Sequence, residues 1–122
     1  MHSTLKSAAD AMAINERVRA AAADATDGEP AQILVGGASL TGIQTAGEIA
    51  AYRPEENVAM DVHLIEQAGT IFPGHDHEFQ GAIRNELEAH DIEIRTNAVV
   101  SAVGNTMVEL ESGEEMEYDV LI

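Results

Sequence analysis

Hydrophobic and polar positions change their period along this chain, and the changes divide it into elements. Over residues 3–25, Leu5, Ala8, Ala11, Met12, Ile14 and Val18 recur at helical spacing. Ser3 or Thr4 can cap that helix, and Gly28-Glu29-Pro30 stops it. Its apolar face is alanine-rich and weak, which predicts a helix that packs on the domain rather than forming its core. Residues 32–36 are an apolar strand. Helical spacing returns over 40–52, with Ile43, Ala46, Gly47 and Ala50 on one face; the small Ala46 and Gly47 predict close approach to a sheet. Arg53-Pro54-Glu55-Glu56-Asn57 reads as a solvated loop, and 59–66 as a second strand. Phe72-Pro73-Gly74 is a turn. Asp76 caps a helix running to His90 with Phe79, Ile83 and Leu87 inward, and Ile92-Glu93-Ile94 begins a third strand.

Beyond that point the period becomes two. Val99-Val100-Ser101-Ala102-Val103, Met107-Val108-Glu109-Leu110 and Glu115-Met116-Glu117-Tyr118 are separated by Gly104-Asn105 and Glu111-Ser112-Gly113, both hairpin signals. Val120-Leu121-Ile122 is a last apolar run. The order is helix, βαβαβ, antiparallel meander, strand. It predicts an α/β fold with a parallel sheet in which a three-stranded meander replaces a crossover helix. A chain that stops inside an apolar strand is expected to be an excised domain.

The first of these strands carries chemistry. Ile33-Leu34-Val35 runs into Gly36-Gly37-Ala38-Ser39-Leu40-Thr41-Gly42, from which a helix opens, and Val62-His63-Leu64-Ile65 ends on Glu66. This is the order in which a dinucleotide site is built. Glycines allow a tight turn and backbone contact with phosphate, and the helix aims its first N–H groups at a pyrophosphate. An acid at the next strand tip accepts from a ribose diol. Aligned on Gly37, the fingerprint has Ser39 where its second glycine belongs, the place of closest phosphate approach. The alternative is a glycine-rich strand-to-helix turn that binds nothing.

Composition narrows the picture. A chain of 122 residues is one domain, and with only four Phe and Tyr residues its core must be Val, Ile, Leu, Ala and Met. No apolar run is long enough to span a bilayer, and no cysteine is present to form a disulfide, a thiolate metal site or a redox pair. The net charge is −16, with 22 Asp and Glu against 6 Lys and Arg. Acids spread along the chain with one lysine, Lys6, resemble a cytoplasmic protein adapted to high salt, or simply an acidic soluble one. Without a basic patch, nucleic-acid binding is not expected.

Other candidates have plainer readings. Glu66 is expected to contact ribose and so to favour NAD over NADP, since Gln67, Ala68 and Gly69 supply no arginine for a 2′-phosphate; otherwise it is a solvated strand-end acid. Glu48 is expected to be solvated or to cap. His75 and His77 have a metal-like spacing but no evident third ligand, and read as a polar turn. Asp119 reads as structural, and no Ser, His and acid triad stands out.

The segments 33–49, 62–66, Phe72-Pro73-Gly74, 108–113 and 118–122 together resemble the NAD(H)-binding domain of the pyridine-nucleotide-disulfide oxidoreductase superfamily, most closely type II NADH dehydrogenases. The leading helix resembles the segment that precedes this domain. The resemblance covers nearly the whole chain. It implies a Rossmann-like, three-layer FAD/NAD(P)-binding fold, with residues 1–29 as a leading helix and 30–122 as the NAD(H) domain. It also implies NAD(H) at Gly36, Gly37, Ala38, Ser39, Leu40, Thr41, Gly42, Gln44 and Glu66, with no catalytic side chain in this domain. It further implies FAD on a flavin domain of the same parent chain, which would pass hydride from NADH to a quinone or other acceptor. The parent is expected in the cytoplasm or on the cytoplasmic face of the membrane. Gln44 departs from the acid that relatives often carry facing the nicotinamide. A regulatory module that senses NAD without chemistry, and a flavoprotein disulfide or ferredoxin reductase, are the rival readings.

Overall fold

The computed structural model describes residues 8–37, 40–56 and 59–122. The elements are α1 (Ala8–Ala23), β1 (Ala31–Gly36), α2 (Leu40–Glu56), β2 (Met60–Ile65), α3 (His77–Ala89), β3 (Ile92–Arg95), β4 (Val100–Val103), β5 (Met107–Leu110), β6 (Glu115–Glu117) and β7 (Val120–Leu121). Strands β3-β2-β1-β7 form a parallel sheet in that order, and β4-β5-β6 a separate antiparallel one. The meander therefore occupies the connection between β3 and β7, as the change of period predicts.

The side-chain alternation of the parallel strands sets the layers. Ile33 and Val35 of β1, Val62 and Leu64 of β2, Ile92 of β3 and Val120 of β7 point to one face. They form a single buried cluster there with Ala46, Ile49 and Ala50 of α2 and Leu87 of α3. Leu34 and Ile65 point to the other face and pack on Val108 and Leu110 of β5 and on Ala98. The result is three layers: helices, parallel sheet, meander. The core is aliphatic throughout, as the shortage of aromatics requires.

Four local expectations need correction. α1 forms part of the core: Ile14, Val18 and Ala22 are each less than a tenth exposed, because two branched residues one turn apart suffice to reach the sheet across small alanines. Its proposed cap, Ser3 or Thr4, lies outside the described residues. The stretch Arg53-Pro54-Glu55-Glu56 is helical and completes α2; Pro54 falls in the final turn, where its missing N–H removes one ladder bond and nothing after it. On α3, Leu87 is buried and Ile83 partly so, but Phe79 is 43% exposed. Gln80 is the buried neighbour, its Nε2 donating to the Phe72 carbonyl at 3.1 Å, while Phe79 stacks edge-on with Phe72 at 5.3 Å between centroids. Strand β4 is exposed along its whole length rather than alternating. The Asp76 cap is present: its Oδ1 accepts from the Phe79 N–H at 2.8 Å.

Candidate functional site

The site lies at the carboxyl ends of β1 and β2, where α/β sheets place their ligands. The N–H of Gly36 donates to the Ile122 carbonyl at 2.9 Å and that of Gly37 to the Ile65 carbonyl at 2.7 Å, so the turn is anchored to both neighbouring strands as it leaves the sheet. Gly37 has φ +94°, in the left-handed region that glycine adopts without steric cost. A Cβ placed there would meet no atom within 4 Å among the described residues beyond its chain neighbours: the cradle is open on that side. Gly42 is the opposite case. A Cβ on it would stand 1.8 Å from the Gly37 carbonyl oxygen, so α2 can start against the turn only with glycine at this position. Gly47, expected to allow close packing, has no atom within 4 Å of an added Cβ; Ala46, fully buried, makes that contact instead.

Glu66 follows β2 and is buried, at 7% exposure. Its Oε2 accepts from the Ala68 N–H at 2.6 Å. Its main chain is held by the end of β3, with its N–H donating to the Arg95 carbonyl at 2.8 Å and its carbonyl accepting from the Ala98 N–H at 3.0 Å.

A cleft of about 430 Å³ joins these pieces. Gly36, Gly37, Glu66 and Gln67 line its polar side, and Val99, Val100, Val103, Val108, Leu121 and Ile122 its apolar side. The valines of the meander are site residues that the sequence reading missed; their exposure on β4, 42% for Val100 and 49% for Val103, is the signal that distinguishes them from core. No lysine or arginine lines the cleft among the described residues. A phosphate there would depend on backbone N–H groups and on the α2 dipole, and no acid in the first turn of α2 opposes it.

Of the sequence-predicted site residues, Gly36, Gly37 and Glu66 meet in the cleft. Leu40, Thr41 and Gly42 form the first turn of α2 beside it, and Thr41 is exposed. Gln44 is exposed one turn further along and is not among the cleft-lining residues. Ala38 and Ser39 lie outside the described residues. Glu48 is exposed on α2. His75 packs on Phe72 with ring centroids 4.1 Å apart, and no group of three metal-ligating side chains occurs among the described residues. Asp119 is structural, its Oδ2 accepting from the Gln32 N–H at 2.7 Å.

A larger hollow, about 1020 Å³, opens between the amino-terminal part of the parallel sheet and the meander. Its charged lining residues are mostly acidic: Asp24, Glu29, Glu93, Glu115, Glu117 and Asp119, with His63 and Arg95. Its Arg95 and His63 are paired with acids. Arg95 Nη1 lies 2.6 Å from Glu114 Oε2, and this hydrogen bond, helped by the charges of Glu114 and Glu93, holds the guanidinium pKa above its ordinary value against partial desolvation. Gln32 bridges Asp61 and His63, its Nε2 donating to Asp61 Oδ2 at 2.8 Å and its Oε1 lying 2.9 Å from His63 Nε2. It has no glycine turn and no helix start, and lacks the parts a nucleotide needs.

A parallel sheet flanked by helices, with a glycine turn opening a helix after its first strand, defines a Rossmann-like α/β fold. The match to the family model described as pyridine nucleotide-disulphide oxidoreductase runs over residues 3–122, and the chain belongs to that family. No curated protein matches it. Among solved structures, NDH2 from Plasmodium falciparum in complex with NADH superposes with a TM-score of 0.83 at 16% identity, over 97% of this chain and 28% of that one. A NAD-dependent persulfide reductase from A. fulgidus gives 0.74 at 24% identity, over 97% and 20%. The water-forming NADH oxidase from Lactobacillus brevis bound to NADH gives 0.70 at 20%, over 96% and 24%. The chain thus spans about a quarter of the length of these structures, and at these identities the likeness is one of fold.

Proposed function

We propose that this chain is the NAD(H)-binding domain of a flavin-dependent NADH dehydrogenase. The observation that carries the proposal is a cleft that joins the open cradle at Gly37 to the buried carboxylate of Glu66, with the helix start that only Gly42 allows beside it. In this reading the pyrophosphate rests on the 36–42 turn, including Ala38 and Ser39, and the adenosine ribose hydroxyls donate to Glu66. The meander valines cover the apolar parts of the nucleotide, and Gln44 lies toward the nicotinamide end. Residues 30–122 are the binding domain and 1–29 its leading helix. NADH complexes in two structural neighbours support the ligand.

Nothing in this domain needs to transfer a proton or form a bond. Its residues bind, orient and exclude water from the nucleotide. FAD on a flavin domain of the parent supplies the hydride acceptor, with a quinone or another acceptor beyond it. A cytoplasmic parent, working at the membrane surface, fits this role. Among the described residues no helix is long and apolar enough to cross a membrane.

The test is a pair of titrations of the 122-residue chain with NADH and NADPH. NADH is expected to bind more tightly, because a 2′-phosphate meets a buried carboxylate in place of a diol. Glu66→Ala is expected to narrow the gap by about 1.5–3 kcal/mol, the range of a hydrogen bond to a charged group. Identical curves for the two nucleotides on the unmutated chain remove Glu66 from the site.

A further inference from the structure

Glu66 is aimed by a turn that belongs to another part of the chain. Strand β2 ends at Ile65, so Glu66 has left the regular ladder. Three main-chain hydrogen bonds tie residues 66–68 to residues 95–98: Glu66 N–H to the Arg95 carbonyl at 2.8 Å, Ala98 N–H to the Glu66 carbonyl at 3.0 Å, and Asn97 N–H to the Ala68 carbonyl at 2.9 Å. The Ala68 N–H, on the same short loop, donates to the Glu66 carboxylate at 2.6 Å. The Ala68 N–H is therefore one anchor of the carboxylate's direction, and Ala68 is held in turn by Asn97.

Asn97 has φ +55°, in the left-handed region, and this turn lets the consecutive N–H groups of Asn97 and Ala98 reach the Ala68 and Glu66 carbonyls. Asparagine and glycine enter this region readily; a β-branched residue does not. The Asn97 side chain is exposed, and the bond that ties the turn to Ala68 comes from its main chain. What the position supplies is backbone geometry.

We propose that Asn97 is a positioning residue for nucleotide selectivity, its left-handed turn holding Ala68 and through it the carboxylate of Glu66 at the ribose diol. This inference rests on the nucleotide reading of the cleft. NADH gains from a well-placed Glu66, and NADPH does not. Disturbing the turn must therefore compress the ratio of the two affinities rather than weaken both alike. The effect must also run through Glu66 and vanish when that side chain is gone.

The experiment measures NADH and NADPH dissociation constants for the 122-residue chain and for Asn97→Val, Asn97→Ala and Asn97→Gly, each with Glu66 and with Glu66→Ala. Thermal midpoints identify any variant that fails to fold. Asn97→Val is expected to lower the NADH preference about tenfold, the scale set by losing one charge-assisted hydrogen bond. Asn97→Ala, which strains the turn less, is expected to lower it by a smaller factor and serves if the valine variant does not fold. Asn97→Gly restores the preference, and with Glu66→Ala none of the three changes the ratio. The proposal is overturned if the two affinities fall in step, or if the ratio still shifts without Glu66. It is also overturned if the valine and alanine variants fold and keep the full preference. An unmutated chain that binds neither nucleotide refutes the nucleotide reading itself, a result distinct from any of these.

Discussion

Two glycines in the strand-to-helix turn do different work, and the difference can be measured. Gly37 is needed for its φ of +94°, whereas Gly42 is needed for space, with the Gly37 carbonyl 1.8 Å from where its Cβ would be. Gly42→Ala forces backbone apart at the helix start. It is expected to lower stability by about 1–3 kcal/mol and to abolish detectable NADH binding. Gly47→Ala, a helix-interior change into open space, is expected to raise stability by about 0.5–1 kcal/mol. Chemical denaturation with an NADH titration on each variant checks both. The sequence distinguishes Gly42 from Gly47 only through the fingerprint spacing; a helical wheel treats the two as equally small. Asn97 and the meander valines carry no such spacing. A single asparagine in a polar turn looks like any other, and an exposed valine in a strand is indistinguishable by pattern from a buried one.

Element order and type are legible because each rests on local chemistry: apolar runs for β1 and β2, a cap at Asp76, glycine turns at Gly104 and Gly113. The elements misread are those whose outcome depends on a neighbour. Phe79 and Gln80 are adjacent on α3, and hydrophobicity alone puts the phenylalanine inside. The Phe72 carbonyl, in a residue at φ +49°, accepts from Gln80 Nε2 and gives that side chain a buried partner, leaving Phe79 on the outer side. α1 looks too weakly amphipathic for a core helix, yet α2 lies beside it, and Arg19 stacks over the Tyr52 ring at 4.7 Å to join the pair. Helix α2 runs past Pro54 because proline interrupts a helix through its own N–H and ring, and near the carboxyl end little helix remains to be lost.

At the scale of the whole molecule, charge and layering matter most. A net charge of −16 surrounds a cleft with no cation in its described lining, which is meant in our reading for an anionic ligand. Surface repulsion of this size is screened as the Debye length falls from about 10 Å at 0.1 M to about 3 Å at 1 M salt. The thermal midpoint is expected to rise more between dilute buffer and 1 M KCl than that of a Rossmann domain of ordinary charge. The control removes the salting-out that strengthens burial in any protein. A rise no larger than the control's shows the charge to be incidental. The three-layer arrangement itself is half legible. The meander is visible in the change of period, but which sheet face it covers depends on Leu34 and Ile65 pointing away from the helices, a register that only the folded sheet displays.

The most direct measurement is a map of amide chemical-shift changes in the isotope-labelled chain as NADH is added. The account predicts that the largest changes fall on Gly36, Gly37, Thr41, Gly42, Gln67, Val99 and Val100, around the cleft at the carboxyl ends of β1 and β2. Changes centred instead on Asp24, Met107, Glu117 and Asp119, around the larger acidic hollow at the other end of the sheet, would contradict it.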